Sequence, residues 1–222
     1  TRVGDLRLTR PVEWPMPVWI RPAVLIASLM MLPAHVLAEA PAEPGPRERL
    51  EGAYTTIAEV TALVETQEQL VSELTSRMAE FLDYNTFAAR ALKGRWKKLN
   101  ASQKKRFTKH FKDLLLQTYS KRFKPRTTFE VTYRGDTQWL GEDRALGEVH
   151  TTVTGTRAAA DVSYLFARTG RTKTWRIVDI TVDEVSMAQN WRRQFVRVMD
   201  KDGFASLVKR IRSKTEASAG KH

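Results

Sequence analysis

The sequence predicts an α+β domain: helices first, then a curved antiparallel sheet, then helices again. Three observations predict it. Apolar residues recur at steps of three and four from Ile57 to Tyr119, the period of helices that bury one face. At Pro125 the period drops to two and returns, between turn residues, as far as Val182, the period of half-buried strands. The longer period resumes after Val185. No internal repeat or sustained heptad run stands out.

The 222 residues, 42% of them hydrophobic, suffice for one domain with a core and do not require two. Cysteine is absent, which excludes disulfides, thiolate chemistry and cysteine-based metal sites. The formal charge is +12.

Residues 1–40 read as a signal peptide with an N-terminal extension. Arg21 precedes an uncharged apolar run from Ala23 to Leu32, and small residues follow at Ala38 and Ala40. A basic flank, a short apolar stretch and an A-x-A-like site make a secretory signal, with cleavage expected after Ala38 or Ala40. The run is too short to span a hydrocarbon core of about 30 Å. The segment from Thr1 to Ile20 lengthens the leader, so the true start is expected nearer Met16. Residues 1–40 carry four basic and three acidic side chains, so +11 of the +12 belongs to the remainder.

Residues 41–46 (PAEPGP) read as a linker that resists helix. The domain proper is expected over 47–214. Ile57, Val60 and Val64, then Leu70, Leu74, Met78 and Phe81, give one buried stripe per helix. Asp83 is placed to cap a helix carrying Phe87, Ala91 and Trp96. Asn100 with Gln103 forms a capping box. The helix it opens sets Phe107, Phe111, Leu114, Leu115, Thr118 and Tyr119 against Lys104, Lys105, Arg106, Lys109 and Lys112.

Phe129, Val131 and Tyr133 alternate with polar residues. Strands are expected over 146–153, 160–167 and 174–182, with a hairpin turn at Gly170-Arg171. Val162, Tyr164 and Phe166 share one side of their strand, and Val178, Ile180 and Val182 share one side of the next. Short, even connections favour an antiparallel sheet. Ser186 with Gln189 forms a second capping box, for a helix with Met187, Gln194, Phe195, Val198 and Met199 near one face. Asp202 is expected to cap a last helix with Phe204, Leu207, Val208 and Ile211. Residues 215–222 are small and polar, and read as a disordered tail.

Catalytic inventories come up empty. Of the four histidines, His35 lies in the leader and His222 ends the chain. His110 and His150 sit on different elements without metal-ligand spacing, and a metal site needs three or four converging donors. No nucleophile elbow, phosphate-cradling loop or dinucleotide fingerprint is present. Asp179, inside an apolar strand, is the one candidate base for isomerase-like chemistry. No second catalytic group accompanies it, so a structural role, facing out or pairing with a base, is favoured. No enzyme activity, metal or cofactor is expected. The positive charge admits nucleic-acid binding in principle, but export argues against it. The basic residues are read as spread along solvated helix faces, with the remainder available to lipid phosphates or an anionic membrane surface. The large apolar residues of sheet and helices make either a plain core or a lipid cavity. Composition and period leave both open, and a periplasmic protein-binding adaptor remains an alternative.

Two stretches carry a resemblance. Phe81 to Phe111 (FLDYNTFAARALKGRWKKLNASQKKRFTKHF) and Trp175 to Leu207, beginning WRIVDITVDEVSMAQNWRRQFVRVM, resemble the MlaC (toluene-tolerance, phospholipid-binding) family. The first repeats its aromatic-Asp pair, Ala-Arg and Leu-Gly helix, capped start and Arg-Phe helix. In the second, Trp175, Asp179, Val185, Ser186, Asn190, Arg192, Gln194, Phe195 and Gly203 take the family's places. The departures are Glu184 for a glycine, Trp191 for a tyrosine and Lys93 for a more apolar residue; the sheet over 129–153 matches by pattern.

The resemblance implies a cone of the NTF2-like kind, a curved antiparallel sheet and helices around an apolar cavity. It implies a monomeric periplasmic shuttle with bound phospholipid as ligand, whose partners are an outer-membrane lipoprotein and an inner-membrane ABC transporter complex, with transient membrane-surface contact and no nucleic acid. On that reading Val162, Tyr164, Phe166, Val178, Ile180 and Val182 floor the cavity, and Phe107, Phe111, Leu115, Trp191 and Phe195 roof it. Asp179 is structural, pairing Arg192 or fixing the turn to the last helices. A loosely filled cavity costs stability, so the helices are expected to be somewhat mobile.

Overall fold

The computed structural model describes residues 43–120, 123–156, 158–170 and 173–219. The leader, its cleavage site and Arg171 of the expected hairpin turn lie outside the described residues. Among the described residues no helix is long and apolar enough to cross a membrane.

Helix α1 (Pro46–Leu63) begins inside the stretch read as linker, with Pro46 in the first turn. That position has no intrahelical partner for its N–H, so proline costs nothing there. Helix α2 (Gln67–Arg77) is opened by Thr66, whose side chain accepts from Gln69 N–H in a reciprocal capping box, and a 3-10 turn follows over Met78–Glu80. Asp83 caps α3 (Tyr84–Leu92) by accepting from the Asn85 and Thr86 N–H groups at 2.9 and 3.0 Å. Helix α3 stops at Leu92, so Trp96 falls in a separate 3-10 stretch, Lys93–Lys98. The Asn100–Gln103 box opens α4 (Ala101–Tyr119). Phe107, Phe111, Leu114 and Leu115 are buried, whereas Thr118 is exposed.

Six strands follow: β1 (Glu130–Tyr133), β2 (Gln138–Leu140), β3 (Leu146–Thr154), β4 (Ala159–Thr169), β5 (Thr174–Val182) and β6 (Val185–Ser186). They form one antiparallel sheet in the order β1-β3-β4-β5-β6, with β2 also paired to β3. One irregularity matters for the site. Leu165 pairs with Asp179, but Phe166 pairs with Ile177. Val178 is the extra residue of a β-bulge, and the side-chain alternation of β5 shifts there.

Asp183 and Glu184, at φ 46° and 67°, turn the chain from β5 to β6. A two-residue hairpin with both φ values positive has the right twist for the strands, though glycine or asparagine suits it better. Helix α5 (Met187–Ala219) is broken at Gly203, whose φ is 79°. A residue with a Cβ adopts that conformation only with strain, so the glycine sets where the last helix restarts. Asp202 does not act as the expected cap; its carboxylate accepts from Arg210 Nη2 at 2.6 Å. Gln194 is exposed, and Ala188 and Trp191 bury in its stead. Helix continues past Lys214 into the expected tail, where Thr215 Oγ1 donates to the Ile211 carbonyl at 2.9 Å.

Two apolar clusters result. One joins α3, α4 and α5 through Phe87, Phe107, Phe111, Trp191, Phe195 and Leu207. The other packs α1 and α2 on the sheet through Leu50, Tyr54, Ile57, Leu70, Phe166 and Ile177.

Candidate functional site

An apolar cavity of about 530 Å³ lies between the sheet and the helices, within the range of small-molecule sites. Helix α1 contributes Leu50, Ala53, Tyr54, Ile57 and Thr61, of which Leu50, Tyr54, Ile57 and Thr61 are spaced four, three and four apart as one helical face requires. Strands β4 and β5 contribute Val162, Tyr164, Ile177, Ile180 and Val182. Leu115, Leu116 and Tyr119 come from the C-terminal half of α4, and Tyr84, Phe87 and Met187 from the first turns of α3 and α5. Lys124, Thr128, Gly155, Ala158 and Ala159 line it too and are exposed, so the cavity opens between the α4–β1 connection and the β3–β4 turn. Lys124 places a cation on this rim.

The sequence-expected residues divide sharply. Val162, Tyr164, Ile180, Val182 and Leu115 line the cavity. Val178 and Phe166 are fully buried but do not. The bulge puts Ile177 where strict alternation puts Val178, and Phe166 packs into the sheet–α1 cluster. Four expected roof residues are also outside the lining. Phe107 stacks on Phe111 and Trp191 on Phe195, with centroids 5.6 and 5.4 Å apart, and Phe195 stands edge-on to Phe107 at 5.6 Å. They are solid core, because rings that satisfy one another leave no void. The α1 face was missed, although the spacing of Leu50, Tyr54 and Ile57 signals it.

Within the wall the Tyr54 and Tyr164 hydroxyls hydrogen-bond to each other. Burial raises both pKa values, and for Tyr164 the neighbouring Tyr54 adds to the shift. Burial, with Glu51 nearby, pushes Tyr133 up to about 12. These phenols are therefore neutral at physiological pH, and the charge in the lining is that of Lys124 at the rim.

Asp179 is 5% exposed and is outside the cavity lining among the described residues. Its Oδ1 accepts from the Ile180 and Ala188 N–H groups at 2.9 and 3.1 Å, and its Oδ2 from the Ser186 hydroxyl at 2.8 Å. Its ionic partner is Arg90, at 3.6 Å, and not Arg192. Arg192 instead donates Nε and Nη2 to the Arg90 carbonyl at 3.2 and 2.9 Å. The carboxylate accepts three hydrogen bonds and lies beside Arg90, and so holds α5 to β5. No cluster of three or more potential metal ligands occurs among the described residues.

The family model described as MlaC protein matches residues 53–213. No curated protein sequence matches. Among solved structures, a phospholipid-binding protein from Ralstonia solanacearum, in complex with a phospholipid, superposes with a TM-score of 0.68. It is 16% identical, and the match covers 77% of this chain and 97% of that one. At that identity the likeness is one of fold.

Proposed function

The chain belongs to the MlaC family, and from that premise we propose that it is a periplasmic phospholipid carrier that catalyses nothing, passing lipid between an outer-membrane lipoprotein and an inner-membrane ABC transporter complex. The observation that carries this reading is the open apolar cavity of about 530 Å³. Exposing a CH₂ group to water costs about 0.8 kcal/mol, so two bare acyl chains cost on the order of 20 kcal/mol. A wall of aliphatic and aromatic side chains removes most of that barrier. Neutral tyrosines keep the interior free of charge, and Lys124 on the rim suits a headgroup phosphate that stays wet. The ligand of the Ralstonia solanacearum protein agrees in chemistry. A cavity of this size favours the carrier over a protein-binding adaptor, which needs only a solid core. The carrier acts as a monomer, freed from its leader on export.

Native mass spectrometry of the protein purified from the periplasm tests this. Co-purified phospholipid is expected, and Val162→Trp, which fills the cavity, is expected to lose it while remaining folded. Lipid-free protein that takes up none from vesicles ends the proposal.

A further inference from the structure

The helical layer carries a charge array that neither the cavity nor the fold requires. From Tyr84 to Lys112 the chain has ten basic and no acidic residues. Lys93, Lys97, Lys98, Lys105, Arg106 and Lys109 are all exposed. The charges are thus concentrated here, against the even spread read from the sequence.

No carboxylate pairs with any of these six among the described residues, whereas Arg95 in the same run is held by Asp200 at 2.7 Å. Lys105, Lys109 and Lys112 recur at steps of four and three, so one stripe of α4 faces away from buried Phe107, Phe111 and Leu114. The placement opposes stability. The first turn of α4 contains no acidic residue, and Lys97, Lys98, Lys104 and Lys105 crowd the positive end of its dipole, where carboxylates are favoured.

We propose that this face, Lys93 to Lys109, docks the protein reversibly on an anionic lipid bilayer. Two features select a bilayer over a protein partner. Lysine is depleted in protein–protein interfaces, which are anchored by aromatic residues and arginine. Here lysine dominates, and the exposed large hydrophobics among the described residues (Leu63, Trp139, Leu140 and Val185) all lie elsewhere. Lysine is also a compact point charge suited to diffuse phosphate contact, whereas arginine suits paired, directional contact. The association is electrostatic and superficial. It rests on the carrier reading only for its purpose, which is to bring the loaded protein to a lipid surface.

The experiment is co-sedimentation of the full mature chain with vesicles of phosphatidylcholine alone or mixed with phosphatidylglycerol. Binding is expected only to the mixed vesicles and is expected to vanish in about 1 M salt, where the screening length falls to about 3 Å. Lys97→Gln/Lys105→Gln/Lys109→Gln is expected to weaken it about a hundredfold, since each surface lysine contributes about a fivefold factor. Lys173→Gln/Lys201→Gln/Lys209→Gln, of equal net charge, is expected to bind as wild type. Equal loss in both variants makes net charge the cause and overturns the proposal. So does wild-type protein that ignores anionic vesicles, which would leave an acidic protein surface as the partner. Co-purified lipid, read by native mass spectrometry on the same samples, is expected to be unchanged in both variants. Its absence from all of them would sink the carrier reading without touching the docking result.

Discussion

The buried carboxylate of Asp179 accepts the Ser186 hydroxyl at 2.8 Å, and the same hydroxyl accepts the Gln189 N–H at 3.1 Å. The last residues of β5 and the first turn of α5 are thereby locked together. Because α5 and α3 close one side of the domain, this small network positions the helical layer over the sheet.

Asp179→Ala is expected to destabilise the protein by about 2–4 kcal/mol, because it strands the Ala188 N–H, the Ser186 hydroxyl and Arg90 together. For a chain of this size that lowers Tm by roughly 5–15 °C. Thermal unfolding checks it. An unchanged Tm would restore Asp179 as a candidate for chemistry.

Phe107→Ala separates the solid core from the cavity. Phe107 is fully buried and meets Phe111, Phe195 and Trp96. Its truncation is expected to cost about 3–5 kcal/mol, measured by urea denaturation, while lipid retained per folded molecule stays constant. Loss of lipid without loss of stability would place Phe107 in the ligand site.

The tyrosines give a signed pH dependence. An unfolded tyrosine ionises near 10.0, but buried Tyr54 and Tyr164 remain protonated above that value. Above pH 10 the unfolded state therefore binds fewer protons than the native one, so stability falls as pH rises. Below about pH 9 these groups contribute no slope. Each is expected to cost about 1.4 kcal/mol per pH unit above 10 until the native protein itself titrates. Tm followed from about pH 9 to about pH 12, with Tyr54→Phe/Tyr164→Phe alongside, checks this: the variant's alkaline slope should be shallower.

Glu184 sits at φ 67° in the β5–β6 turn. A left-handed conformation costs a residue with a Cβ about 1–2 kcal/mol, and glycine returns part of that in unfolded-state entropy. Glu184→Gly is expected to raise stability by a few tenths to 1 kcal/mol, about 1–4 °C in Tm. A lower Tm would mean that the glutamate side chain holds the turn.

The sequence by itself determined several of the elements. The Asn100–Gln103 box, the Asp83 cap and the spans of β3, β4 and β5 are all local, because capping geometry and strand period are written within a few residues. The motifs at Phe81–Phe111 and Trp175–Leu207 were enough to indicate the family. Tertiary structure alone decided which apolar side chains meet a void and which meet each other. Phe107 and Leu115 lie on the same face of α4 and are both buried, yet only Leu115 reaches the cavity. A hydrophobic period reports that a side chain leaves water; it does not report what it touches. The bulge at Val178 and the choice of Arg90 over Arg192 for Asp179 are likewise set by strands and helices far apart in the chain, whose register no local pattern encodes.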